Sequence, residues 1–310
     1  MHVIETNNLS RHFGSIKAVN GLNLKVPQGI IFGFLGPNGA GKTTTINLLL
    51  GLLEPTGGSA NVFGYDVKTR SADIRSNVGV LFQESGLYER LSVFDNMKFH
   101  AKIWKLAPVH QSSRIRKLLK TFGLWDRRND ITSTLSTGLQ RKLAIARTLI
   151  HQPKLIFLDE PTAGLDPIAS SKLQDDIIDI CSKEESTFFI TTHNLNEAEK
   201  ICSQVAVINE GKLLAQGSVK ELQKIRSNYQ IEVIGKGFDD NVISSLKSID
   251  GISLIKTLDT HIIIEVNPET NTSSLNKIIV NGGGLVDEFK EVRSNLEDIF
   301  LTLISGNNDN

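Results

Sequence analysis

Gly36-Pro37-Asn38-Gly39-Ala40-Gly41-Lys42-Thr43 is a complete G-x-x-x-x-G-K-[ST] run, a spacing that suits the holding of phosphate. Gly36, Gly39 and Gly41 let the backbone curl so that successive N–H groups point at phosphate oxygens, with Pro37, Asn38 and Ala40 completing the loop. Lys42 is placed to reach the β- and γ-phosphates, and the Thr43 hydroxyl to ligate Mg²⁺. Thr44 continues into a helix whose positive N-terminal end meets the same charge. The bland alternative is a glycine turn that happens to precede a helix.

Five other places carry residues capable of chemistry. Leu155-Ile156-Phe157-Leu158 ends in Asp159-Glu160, and carboxylates at the edge of a core strand need a metal or hydrogen bonds to offset their burial. Asp159 fits a Mg²⁺ ligand and Glu160 a general base for an attacking water. Gln83 ends an apolar run and either offers its carbonyl oxygen to a metal or caps a strand. His193 follows another core strand; it is either structural or placed to polarise the attacking water. Ser136, ahead of Gly138, either caps a helix or holds an anion with the free N–H groups there. Phe13, an aromatic in an otherwise polar stretch, either packs or stacks on a purine base.

The elements around these residues follow from periodicity. Ile30–Leu35, Val78–Phe82, Leu155–Leu158, Ser186–Thr192 and Val205–Ile208 read as buried strands, and Asn209–Lys212 as a hairpin turn. Val3–Leu9 and Leu22–Val26 read as short strands with Arg11–Ser15 as a polar loop between them, and Ser59–Phe63 as another strand. Tyr88 to about Phe122 is helical, rich in Lys and Arg, and reads as a solvated face or, as the minority reading, a nucleic-acid patch. A further helix carries Leu143, Ala144, Ala146, Leu149 and Ile150, another spans Asn194–Cys202, and Ser218–Ile225 is a third. Arg226-Ser227-Asn228 is a plausible boundary between domains.

Composition bounds the rest. With 310 residues the chain has room for two domains, and 34 basic residues balance 34 acidic ones, so no net field draws it to nucleic acid or an anionic membrane. Cys181 and Cys202 form no recognisable metal motif and read as reduced thiols. Met1–Thr6 shows no charged n-region ahead of an apolar stretch, and no segment approaches about 18 consecutive apolar residues, so any membrane-spanning part belongs to another chain.

Taken together, these pieces resemble the ATP-binding subunit of an ABC transporter over the first two-thirds of the chain. In that family residues 36–43 correspond to the Walker A motif, Leu155–Glu160 to Walker B with its catalytic glutamate, and Gln83 to the Q-loop residue. Leu135–Gln140 is similar to the signature motif, Ala163–Asp166 to the D-loop, His193 to the switch histidine and Phe13 to the aromatic A-loop position, all in the family's order. The resemblance implies an α/β P-loop NTPase fold over residues 1–227, with a mixed sheet and a helical subdomain at about 88–150. It implies ATP as substrate, Mg²⁺ bridged through Thr43, Asp159 and Gln83, and water positioned by Glu160 and His193. It further implies that Ser136 and Gly138 of one subunit cover the ATP on a second, head-to-tail subunit, and that an integral membrane permease receives the motion. No nucleic-acid partner is expected, and the expected location is the cytoplasm, peripheral on the inner face of the membrane through that permease. Two departures stand out: Thr137 replaces a glycine common in the signature, and Phe13 replaces a common Tyr.

The last third reads as strand 229–235, helix 240–249, strands 252–257 and 260–266, helix 272–280 and strand 284–289, a β-α-β-β-α-β order compatible with a small ferredoxin-like α+β domain over 228–305. Ser294-Asn295-Leu296-Glu297 is a capping box opening a helix striped with Leu296, Ile299, Phe300, Leu303 and Ile304, before a polar tail at 306–310. Asn295–Leu301 is similar to the extension on ATPases of drug and antibiotic exporters whose permease is a separate chain. Two readings compete with an export motor. One is a soluble ABC-type ATPase acting on DNA or ribosomes, against which stand the absence of coiled-coil length between Lys42 and Asp159 and of a second ATPase module. The other is a nucleotide-binding scaffold with negligible hydrolysis, motivated by Thr137.

Overall fold

A strand with no polar face is stable only between two covering layers, and Ile31–Leu35, Leu155–Asp159 and Thr187–Thr192 are buried at every position. The architecture, described here from a computed structural model, is built around them. It describes residues 2–223, 229–258, 260–267, 270, 272–292, 296, 297, 299 and 300. The chain divides into two compact units, Met1–Val219 and Lys220–Asn310.

The first unit begins with β1 (His2–Phe13), β2 (Ile16–Leu22), β3 (Lys25–Pro27), β4 (Ile31–Leu35), α1 (Lys42–Leu49), β5 (Gly57–Val62) and β6 (Tyr65–Asp66). It continues through α2 (Ser71–Ser76), β7 (Val78–Leu81), α3 (Val93–Ile103), α4 (Pro108–Thr121), two single 3-10 turns at Trp125–Arg127 and Thr132–Thr134, and α5 (Thr137–Thr148). β8 (Leu155–Asp159), α6 (Pro167–Glu184), β9 (Thr187–Thr192), α7 (Leu195–Ile201), β10 (Gln204–Asn209) and β11 (Lys212–Ser218) follow, and α8 (Val219–Gln223) lies at the division.

Six strands form one sheet in the order β11-β10-β4-β9-β8-β7, parallel throughout except where β11 returns antiparallel to β10. The phosphate loop leaves the C-terminal end of β4, in the interior of that sheet, where α/β folds place their ligands. A second, antiparallel sheet pairs β1 with β2, β3 and β5. Phe32, Phe34, Phe157 and Phe189 of the first sheet share a core with Ile4, Leu9 and Val62 of the second. The rings of Phe32 and Phe189 stack at 5.6 Å, and each fully buried phenylalanine contributes on the order of 1.5–3 kcal/mol.

Three readings of the sequence change here. The loop expected at Arg11–Ser15 shrinks to Gly14 and Ser15, because β1 continues through Phe13 in register with Ile16. The strand expected over Leu22–Val26 splits, since β2 ends at Leu22 and β3 begins at Lys25, with the Leu24 N–H donating to Thr6 Oγ1 (2.8 Å) between them. The helical run at Tyr88–Phe122 is two helices, broken where Lys105 adopts φ +52 and Pro108 starts α4. α3, α4 and α5 pack on one another, with Arg114 of α4 bonded to Glu184 at 2.6 Å.

The second unit comprises β12 (Tyr229–Lys236), α9 (Asp240–Lys247), β13 (Ile252–Leu258), β14 (His261–Val266), α10 (Ser273–Asn281) and β15 (Leu285–Val292). Its antiparallel sheet has the order β13-β14-β12-β15. Alternate residues of the strands, among them Ile231, Val233, Ile262 and Ile264, meet Val242 and Leu246 of α9 and Leu275 and Ile279 of α10. The boundary at Arg226–Asn228, Ile225, the capping residues Ser294 and Asn295, the stripe residues Leu303 and Ile304, and the tail at 306–310 lie outside the described residues. Among the described residues, no helix is long and apolar enough to cross a membrane, and Cys181 and Cys202 are free and buried.

Candidate functional site

Two glycines of the loop after β4 are fixed by their neighbours. A Cβ on Gly36 would lie 2.4 Å from the Ile208 carbonyl, and one on Gly41, which sits at φ +104, would lie 2.2 Å from that of Ala18. The loop is thus wedged between β10 and β2, with α1 starting at Lys42. Lys42 is buried, and its Nζ donates to Gly36 O at 2.8 Å and Pro37 O at 3.1 Å.

The ends of β8 and β9 bring the acidic groups to the same place. Thr43 Oγ1 donates to Asp159 Oδ2 at 2.7 Å, and the Thr191 hydroxyl donates to Asp159 Oδ1. Glu160 follows Asp159 at φ +49, its N–H held by Thr191 O at 3.1 Å. That turn directs the Glu160 carboxylate towards the loop, where Oε1 lies 3.3 Å from Lys42 Nζ and 3.2 Å from His193 Nδ1. One carboxylate oxygen therefore joins the loop lysine to the histidine. His193 is 54% exposed against 10% for Glu160, so the histidine is the side chain with room to reorient.

A cavity of about 800 Å³ opens over these groups. It runs from Gln83 and Glu160 past loop residues 38–44 to Ser15–Ala18 of the β1–β2 ribbon and to Glu210 and Lys212. Of the residues marked out by sequence, Asn38, Gly39, Gly41, Lys42, Thr43, Thr44, Gln83 and Glu160 line it, and Asp159 lies directly behind Thr43. Ser136 and Gly138 are not part of its lining. Ser136 is exposed and caps α5, accepting from Leu139 N at 3.4 Å, and a Cβ on Gly138 would meet only Ala169, at 3.2 Å. Thr137 opens α5 without a left-handed backbone, so its β-branch imposes no local strain. Phe13 is 43% exposed and lies beside the cavity through its pairing with Ile16.

Sequence reasoning missed three supports. Arg141 of α5 is buried and its guanidinium donates to the carbonyls of Pro161 (2.7 Å), Gln83 (2.9 Å), Asp159 (3.1 Å) and Glu160 (2.7 Å), tying the Gln83 segment to the acidic turn. Burial pushes its pKa down, and the charges of Asp159 and Glu160 oppose that. The available signal was its place on the same helical face as Ala144 and Thr148. Glu197 of α7 is buried and accepts from Thr162 and Thr192 at 2.8 and 2.9 Å, joining the loop after β8 to the strand before His193; burial raises its pKa. Gly211 donates to Ala40 O at 3.1 Å and accepts from Asn20 N at 2.8 Å, bracing the phosphate loop from behind.

The arrangement has an ammonium and a row of loop amides for phosphate charge. Oxygen donors at Thr43, Asp159 and Gln83 suit a hard divalent cation, and Glu160 can accept a proton from water.

The profile described as "ABC transporter" matches residues 19–163. The Bacitracin transport ATP-binding protein BcrA of Bacillus licheniformis is 35% identical over 307 residues, covering 98% of each chain. The Daunorubicin/doxorubicin resistance ATP-binding protein DrrA of Streptomyces peucetius is 38% identical over 220 residues, which are 71% of this chain and 66% of that one. Among solved structures, cbiO1 of Clostridium perfringens, part of the ABC transporter complex cbiONQ, superposes with TM-score 0.67 at 29% identity, covering 71% of this chain and 90% of its own.

Proposed function

The chain belongs to the ABC transporter family as an ATP-binding, ATP-hydrolysing subunit, and from that premise we propose how its residues divide the work and what the work is for. Residues 36–44 cradle the triphosphate, with Lys42 on the β- and γ-phosphates and Phe13 against the adenine. Glu160 takes the proton from the attacking water, and His193, sharing Glu160 Oε1, holds that carboxylate and the γ-phosphate in line. The oxygen donors of Thr43, Asp159 and Gln83 fit Mg²⁺, which when bound offsets the charge on the phosphates.

Ser136 and Gly138 act on the ATP of a second copy. Their N–H groups and hydroxyl sit at the start of a helix, an anion-holding end, and Gly138 leaves room for close approach. Two copies then bury two nucleotides head to tail, and hydrolysis reopens the interface. The work is export through a permease on a separate chain, and this subunit sits on the cytoplasmic face of the membrane by binding it. The relatives' roles in bacitracin transport and daunorubicin/doxorubicin resistance support a drug or antibiotic as cargo. The second unit is a ferredoxin-like accessory domain.

The observation that carries this reading is the meeting of Lys42 and Glu160, which line the cavity, with His193 at one carboxylate oxygen. The test is co-purification with a multi-span membrane protein, together with ATP turnover in the complex. Turnover lost in Glu160→Gln while the complex stays intact supports it. A nucleic-acid-processing partner in place of a permease contradicts it.

A further inference from the structure

Beside the Ser15–Ala18 end of the cavity lies a contact that the phosphate chemistry does not use. Arg11 and Phe13, two residues apart on β1, project from the same face of the ribbon. The Arg11 guanidinium carbon stands over the Phe13 ring, 4.6 Å from its centroid. Arg11 is anchored there by Nη1, which donates to the Glu54 carbonyl at 2.8 Å, while its Nε is buried without a hydrogen-bond partner among the described residues. The arginine is therefore held by one carbonyl and by the ring itself. Phe13 is nevertheless 43% exposed, so the cation does not close the ring off from solvent.

We propose that Arg11 is a positioning residue for the nucleobase: it covers one face of Phe13, fixes the ring's tilt beside the cavity, and leaves the opposite face to receive the base. This rests on Phe13 being the base platform. A cation on one face also draws π-density from the ring, which favours stacking of an electron-rich purine on the other. Arg11 itself touches neither phosphate nor base. Its effect is on how tightly the base is held, and the phosphate end is indifferent to it.

That division gives the experiment. The full chain and its Arg11→Gln, Arg11→Lys and Phe13→Ala variants are titrated with Mg-ATP and, separately, with inorganic triphosphate, which has the phosphates but no base. The readout is the ratio of the two dissociation constants, in which any loss of folded protein cancels. Arg11→Gln keeps a donor for the Glu54 carbonyl and removes the charge; it is expected to weaken ATP about two- to fivefold with triphosphate unchanged. Arg11→Lys recovers part of that ratio, and in turnover assays Arg11→Gln raises KM while kcat stays put. Phe13→Ala weakens ATP relative to triphosphate further, about fivefold or more. If Phe13→Ala changes the ratio and Arg11→Gln does not, the proposal fails while the platform stands. If Phe13→Ala leaves the ratio unchanged, the platform is wrong and the proposal falls with it. Equal weakening of ATP and triphosphate by Arg11→Gln reduces Arg11 to a structural contact and overturns the proposal.

Discussion

Two helix starts in the first unit, Gly41–Thr43 ahead of α1 and Ser136–Gly138 ahead of α5, share the chemistry of exposed N–H groups and differ in what surrounds them. At the first, the glycines are demanded from within, since a Cβ would strike the Ala18 or Ile208 carbonyl, and Lys42 is already tied to Glu160. At the second, Ser136 faces outward and Gly138 has only Ala169 near it. One end is complete inside its own chain. The proposed function gives the other end to the nucleotide of a second copy, which would make a single copy half a site.

The strongest way to break that contrast is to remove the base from the complete half. Glu160→Gln should lower phosphate release by about 10²- to 10⁴-fold while leaving ATP affinity nearly intact, because the proposed function has the carboxylate act on water and the loop alone hold phosphate. A loss of ATP binding of similar size would mean that Glu160 shapes the loop rather than the reaction. Next in size is a mixing experiment. Lys42→Ala and Ser136→Arg copies should each be inactive alone, yet mixed chains should recover up to about a quarter of the activity, since one composite site in mixed dimers is unaltered. No recovery on mixing, with mixed dimers demonstrably formed, would place both helix starts on the same nucleotide.

Smaller effects sharpen how the two halves are connected. Arg141 runs from α5, the helix that Ser136 caps, to the carbonyls of Gln83 and Glu160 on the Lys42 side, so Arg141→Leu cuts the tie between the two and strands buried acceptors. Denaturant unfolding should show a loss of about 3 kcal/mol. A cost below about 1 kcal/mol would show that these carbonyls find other donors.

A last effect is with pH. Burial holds the His100 and His151 pKa values down to about 4, from an ordinary 6.5, and His151 is stacked on Trp104 at 3.6 Å. Both are neutral when folded, and the unfolded chain takes up protons first, so stability is full above about pH 6.5 and falls as pH drops towards 4. Melting temperature followed across that window should decline, and a His151→Phe variant should decline less. A flat profile would mean that these rings are solvated.

The readable part of this site is the part made of consecutive residues. The loop at 36–43, the Asp159-Glu160 pair and the strand-ending His193 each carry their chemistry within a few positions, so their types and order are enough. Arg141 was invisible for the opposite reason: its acceptors come from Gln83, Asp159, Glu160 and Pro161, which only folding brings together. In the sequence Phe13 reads as a loop residue because Arg11, His12, Gly14 and Ser15 break any apolar alternation. A two-stranded ribbon needs only backbone pairing with Ile16 and Lys17 to extend β1 that far. In the second unit, strand alternation such as that of His261–Val266 made the element order legible.

The most direct test of the central claim is the mass of the Glu160→Gln chain in solution, with and without saturating Mg-ATP, alone and beside the permease that the proposed function calls for. The account predicts that nucleotide doubles the mass of the variant and that adding Ser136→Arg to it restores the single-copy mass without loss of ATP binding. A chain that binds ATP yet stays at single-copy mass in both settings would contradict it.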